Sequence, residues 1–115
     1  MIHEHERVVR MVAELQNFLF SMGASEIRSE IRETPEAFLV SIKGNTRGNI
    51  CRKVEKLRKL LSLARRADME EELWSLAGSV DFDTELSLVG MMSDRAEVRC
   101  DGDAGVVEVE LVRRK

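Results

Sequence analysis

The chain is poor in the residues that usually mark a dedicated chemistry: two cysteines, two histidines, one proline, one tryptophan and no tyrosine in 115 residues. Cys51 and Cys100 lie far apart with no Cys-x-x-Cys spacing, which argues against a compact zinc or redox motif and predicts two reduced thiols in a cytoplasmic protein. His3 and His5 sit together at the amino terminus with no cysteine or aspartate cluster beside them, so no metal site is expected there. Neither cysteine has a histidine near it in sequence, and no Ser/His/Asp or Cys/His catalytic set is apparent. No apolar run approaches the roughly 20 residues that cross a bilayer. The opening MIHEHERVVR is charged, which predicts the absence of a secretory signal. Repeats, linkers and low-complexity segments are also missing.

What is present describes one soluble globular domain, residues 1–115. The hydrophobic fraction is 43% and the charged fraction 34%, and the length suffices to bury a core without metal or disulfide support. A net charge of -3 argues against the whole molecule being a nucleic-acid binder.

Between about Glu4 and Met22, Val8, Met11, Val12, Leu15, Phe18, Leu19 and Met22 recur at spacings of three and four, which predicts an amphipathic helix ending at Gly23. Alternation follows. Ile27, Ser29 and Ile31 share one strand face, and Glu26, Arg28, Glu30 and Arg32 the other. Thr34 and Pro35 turn the chain into a second strand, where Phe38, Val40 and Ile42 alternate with Leu39 and Ser41. A loop from Gly44 to Asn49 leads to a second helix over about Ile50 to Arg66, with Ile50, Val54, Leu57, Leu61 and Ala64 on its apolar side. A short third helix is expected near Met69 to Ala77, and a last one over about Thr84 to Ser93 with Leu86, Val89 and Met92 inward. The closing hairpin sets Ala96, Val98 and Cys100 against Val107, Val109 and Leu111 across a turn at residues 101–105. The order helix-strand-strand-helices-strand-strand predicts an α+β two-layer sandwich.

That element order, with the segment DTELSLVGMMSDRAEVRCDGDAGVVEVELVRRK at its end, resembles the histidine-kinase-like ATPase (GHKL) superfamily, and among its smaller members the anti-sigma-factor serine kinases. The resemblance implies a nucleotide site built from three motifs, and each is altered. In the family's first-helix Glu-x-x-x-Asn, the Asn helps hold Mg²⁺ and the Glu orients or activates a nucleophile. Glu14 matches the Glu, but Phe18 stands at the Asn, and Asn17 takes that role only if the alignment slips by one residue. In the family's Asp-x-Gly-x-Gly, the Asp reads the adenine amino group. Gly44 stands at the Asp, Thr46 at the first Gly and Gly48 at the second, leaving Asn45 as the neighbouring acceptor. In the phosphate loop G-x-G-L-G-L, Asp83, Glu85 and Ser87 replace the glycines while Leu86 and Leu88 remain. Carboxylates at a helix start repel a triphosphate, and Asp83 or Thr84 reads better as a helix cap.

The resemblance with these losses implies a non-catalytic regulatory or protein-binding domain without cofactor. The alternative is a divergent ATP- and Mg²⁺-binding kinase domain using Glu14, Asn17, Asn45 and Gly48. Between Arg47 and Arg66 lie eight basic residues and one acid, Glu55, and an acidic stretch follows. Arg52, Lys56 and Lys59 fall on the polar side of the second helix. They form either a solvated face or a docking face for an acidic protein partner. Nucleic acid is not expected, because Phe18, Phe20, Phe38, Phe82 and Trp74 all lie outside that helix and leave no ring to stack a base. Trp74 is a second candidate anchor for a partner.

Overall fold

In a computed structural model of the chain, the residues described are 4–47, 51–61, 86 and 89–115. The first helix, α1 (Glu4–Ser21), buries the apolar stripe from Val8 to Leu19 and carries Glu4 and Glu6 in its first turn, where the helix dipole favours acid. It stops at Gly23, whose φ of 87° would strain any side chain. The Gly23 N–H donates to the Phe20 carbonyl at 3.0 Å and the Ala24 N–H to that of Leu19 at 3.1 Å, the paired bonds of a Schellman ending.

Strands β1 (Ile27–Glu33) and β2 (Ala37–Asn45) form the first hairpin. Its turn closes when the Thr34 hydroxyl oxygen accepts from the Glu36 and Ala37 N–H groups at 3.3 and 3.0 Å. Helix α2 (Cys51–Leu61) follows, and β3 (Arg95–Asp101) and β4 (Val106–Arg114) make the second hairpin. There an Asp101 carboxylate oxygen accepts from the Asp103 and Ala104 N–H groups at 3.1 Å, and Gly105 takes φ 67° to re-enter the sheet. The expected helix near Met69 to Ala77 lies outside the described residues. Of the expected last helix, Leu86 and residues 89–91 are described and helical.

The four strands form one antiparallel sheet in the order β1-β2-β4-β3. Register fixes its faces: Val40 pairs with Leu111 and Ile42 with Val109, and Ala96 and Val98 pair with the same two residues from the other side. These side chains join Val8, Leu15 and Leu19 of α1, Val54, Leu57 and Leu61 of α2, and Leu86, Val89 and Met92 in a single core. The alternate residues Leu39, Lys43, Arg95, Glu97 and Arg99 lie on the opposite, solvent-facing side. The described helices therefore cover one face of the sheet, an α+β two-layer arrangement. Among the described residues no helix is long and apolar enough to cross a membrane.

Arg113 and Arg58 add charged ties between these layers. Arg113 continues the inward series Val107, Val109, Leu111 and is 1% exposed. Its guanidinium donates to both carboxylate oxygens of Glu4 at 3.1 and 2.7 Å and to the Met92 carbonyl at 2.7 Å, fastening the first turn of α1 to the last strand. Arg58 of α2 donates through Nε and Nη2 to the Val98 carbonyl at 3.2 and 3.1 Å, so a helix side chain serves the outer edge of β3.

Candidate functional site

Of the residues that the family resemblance assigns to a nucleotide, the described ones come from α1 and the end of β2, two elements that meet where Leu19 packs against Gly44. On α1, Phe18 is buried in the core and Asn17, about 100° further round the helix, is exposed. Glu14 is buried on the core side of the helix at 8% exposure. Arg10 Nε stands 3.9 Å from its Oε1, close enough for charge attraction and too far for a hydrogen bond.

At the end of β2, Gly44 lies on the inner face against α1. A Cβ added there would come 3.1 Å from Leu19 Cδ1, so the direction in which a base-reading side chain would project is filled by Leu19. Asn45 is committed elsewhere. Its amide oxygen accepts from the Ser25 and Glu26 N–H groups at 2.8 and 2.9 Å, which uses both of its lone pairs. Its Nδ2 donates to Ser25 Oγ at 2.8 Å. The next two residues continue the fastening: Thr46 N–H donates to the Gly105 carbonyl at 2.8 Å and Arg47 N–H to that of Met22 at 3.2 Å. Of what the sequence presents as a glycine- and asparagine-rich loop, Asn45, Thr46 and Arg47 form a latch joining the end of α1, the first hairpin and the turn of the second.

Gly48 lies outside the described residues, as do Asp83, Glu85, Ser87 and Leu88 of the second loop and Trp74. From that loop's apolar frame, Leu86 is buried at 1% exposure. Among the described residues no group of three or more His, Cys, Asp or Glu side chains is placed to hold a metal ion.

On α2, Val54, Leu57 and Leu61 are buried while Lys53, Lys56 and Lys59 are exposed, the division that the helical spacing predicts. Arg52 belongs to the first turn of α2, its side chain outside the described set. The open face of the sheet carries a second charged surface. There Arg99 bonds Glu108 through Nε at 3.0 Å and Glu110 through Nη2 at 2.6 Å, with Glu97 at 3.4 Å. Hydrogen bonds to Glu108 first and Glu110 second hold the Arg99 guanidinium firmly protonated, its pKa raised above the usual arginine value. A shallow depression at the latch end of this face is lined by Glu26, Arg28, Lys43, Gly44, Asn45 and Val106, a mixed-charge surface with no convergent set of one sign. The role of Arg113 had a sequence signal, the period-two series from Val107, whereas that of Arg58 had none because its acceptor is a backbone carbonyl. Comparisons with protein-family models, with curated proteins and with solved structures give no match to this chain.

Proposed function

We propose that the chain is a non-catalytic regulatory domain of the cytoplasm that acts by protein contact, built on a histidine-kinase-like ATPase fold whose nucleotide groups have given way to packing groups. The observation that carries this reading is the end of β2. A purine needs an acceptor for its amino group and room for its ring. Position 44 offers neither, with no side chain of its own and Leu19 against it, and the Asn45 amide oxygen has both lone pairs engaged. On α1, Phe18 in the core takes the place of a metal-holding amide. With those groups gone, the exposed basic side of α2, with Lys56 and Lys59 and with Arg52 in its first turn, is the surface suited to an acidic partner.

One observation favours a second reading, a divergent ATP- and Mg²⁺-binding domain: Glu14 is a carboxylate kept on the buried side of α1, at the position where the family carries its activating Glu. Calorimetric titration with ATP, with and without Mg²⁺, separates the two. The protein-contact reading expects nothing tighter than millimolar, about -4 kcal/mol; micromolar binding overturns it and establishes the second. Reversing Arg52, Lys56 and Lys59 to Glu should change stability by no more than about 0.5 kcal/mol. It should weaken capture of an acidic partner, most strongly at low salt.

A further inference from the structure

Among the described residues, the large exposed apolar side chains are not scattered. Val9, Phe20, Ile31 and Leu39 are exposed by 59%, 61%, 45% and 36%, and the first three border the outer edge of β1. Ile31 lies on the helix-bearing side of that strand, as its pairing with Val40 fixes. Val9 and Phe20 flank Gln16 at helical spacing on one side of α1. Gln16 Nε2 reaches Ser29 Oγ at 3.4 Å, and His5 Nε2, at the start of α1, lies 3.0 Å from Glu33 Oε1. These two contacts run α1 antiparallel to β1 and set Val9 and Phe20 alongside it. The strand itself ends the sheet, and every residue from Arg28 to Glu33 is exposed.

The backbone of that edge has a defined phase. Asn45 N–H donates to the Glu26 carbonyl and Thr34 N–H to that of Ala37, so the even-numbered residues of β1 bond to β2. By the alternation of an antiparallel ladder, the N–H and C=O groups of Ile27, Ser29 and Ile31 point outward. An added antiparallel strand must match those three residues with outward groups of its own.

Glu26-Ile27-Arg28-Ser29-Glu30-Ile31-Arg32 meets that demand with itself. Turned end for end about Ser29, the segment opposes Ile27 to Ile31, Arg28 to Glu30 and Glu26 to Arg32. Each charge meets its opposite, the isoleucines meet on the side that carries Val9 and Phe20, and the outward backbone groups face each other. Centring on Glu30 instead opposes Glu30 to itself and Arg28 to Arg32, and like charges directly opposite destabilise a sheet. Centring on Ile31 opposes Ile27 to Pro35, which has no N–H to give. Charges on an edge strand ordinarily discourage pairing; here their signs alternate so that one register is spared. Among the described residues these charges pair along their own segment, Arg28 with Glu26 at 3.5 Å and Arg32 with Glu30 at 3.4 Å, in exposed and therefore weak pairs.

We infer that β1 is a dimerisation edge: two copies of this chain join through antiparallel β1 strands about a two-fold axis at Ser29, making one continuous sheet. The contact is isologous, each copy offering the same patch, which is why a self-complementary segment points to a second copy rather than to a foreign strand. It is independent of what α2 binds and of the nucleotide question.

Sedimentation of the full chain at roughly 100 µM and low salt, where any dimer of micromolar affinity is populated, should give twice the 13.1 kDa chain mass. Arg28→Glu and Glu30→Arg each set like charges opposite one another at both symmetric positions. Each should weaken association roughly tenfold or more while leaving circular dichroism unchanged. An equimolar mixture of the two variants restores opposite charges throughout, so it should dimerise although neither variant does alone. Phe20→Ser, which leaves the strand untouched, should weaken association as well. A parent chain that is monomeric under these conditions, charge variants that associate as the parent does, or a mixture that stays monomeric overturns the inference.

Discussion

A methyl group added at Gly90 would meet the Leu60 carbonyl oxygen at 2.5 Å, one at Gly44 would meet Leu19 Cδ1 at 3.1 Å, and one at Gly102 would meet nothing within 4 Å. The three replacements by alanine should therefore separate in urea unfolding. Gly90→Ala has backbone in its way and should lose about 2 kcal/mol, more than the up to ~1 kcal/mol that alanine gains in a helix. Gly44→Ala meets a side-chain terminus that can give way and should lose about 1 kcal/mol. Gly102→Ala should stay within about 0.5 kcal/mol. Equal midpoints for all three would mean that α1 and α2 are not held as closely as these distances require. In the sequence, Gly44 is legible only as a missing carboxylate, because the side chain that requires glycine there belongs to α1 and no local pattern links the two. Glu33 poses a charge question of the same scale. The hydrogen bond from Lys115 first, and that from His5 second, hold its carboxyl below the usual carboxylate range. A folded pKa below the unfolded one contributes stability above the unfolded value, and the contribution is lost as pH falls through the folded value. Glu33→Gln should accordingly be slightly less stable than the parent near neutrality, with the gap closing as pH drops below the ordinary Glu value of about 4.3. A gap that stayed constant through acid would assign the difference to packing instead.

At the scale of elements, periodicity carried most of the information. The stripe of α1, both hairpins and the pairings Ala96 with Leu111, Val98 with Val109 and Cys100 with Val107 are where alternation puts them. Depth was not legible. β1 and β2 alternate alike, yet β2 is largely buried and β1 largely exposed, because α1 lies chiefly over β2 and strand order leaves β1 at an edge. The same limit hid the dual nature of α2. Its Lys53, Lys56 and Lys59 are exposed as spacing predicts, while Arg58, equally polar in sequence, reaches the free edge of β3. Hydrogen bonds from a charged group contribute roughly 1.5–3 kcal/mol when buried; the Arg58 side chain is 43% exposed, so Arg58→Ala should lose nearer to about 1 kcal/mol. Hydrogen exchange supplies the local check. Exchange in β3 should quicken in Arg58→Ala and hardly change in Lys53→Ala, whereas equal exchange in the two variants would show that the clamp contributes nothing to the edge.

For the molecule as a whole, the decisive fact is that the last strand in sequence lies inside the sheet. β4 pairs with β2 along Ala37 to Asn45 and with β3 along Arg95 to Asp101, so it is the strand through which the two hairpins share one sheet. Its inward residues Val107, Val109 and Leu111 are at most 1% exposed, and Arg113 adds the tie to Glu4. The β2–β4 ladder, from Asn45 with Val106 to Ala37 with Arg114, joins segments far apart in sequence, so a long loop must close before the ladder rewards it, which makes the sheet dependent on β4. Amides of β4 and the β2 amides bonded to it should thus be the slowest to exchange, near the free energy of global unfolding, and the outward amides of Ile27, Ser29 and Ile31 the fastest within the strands at concentrations too low for association. A chain ending before Val106 keeps α1, the first hairpin and α2 but leaves β2 and β3 with open edges and the Leu15, Leu19 and Val54 side of the core uncovered. It should therefore show no cooperative thermal transition and should expose apolar surface to a hydrophobic dye. Retention of a sharp transition in that truncated chain would mean that the helices and β1–β2 form a self-sufficient core, and that β4 is an addition to the fold rather than its centre.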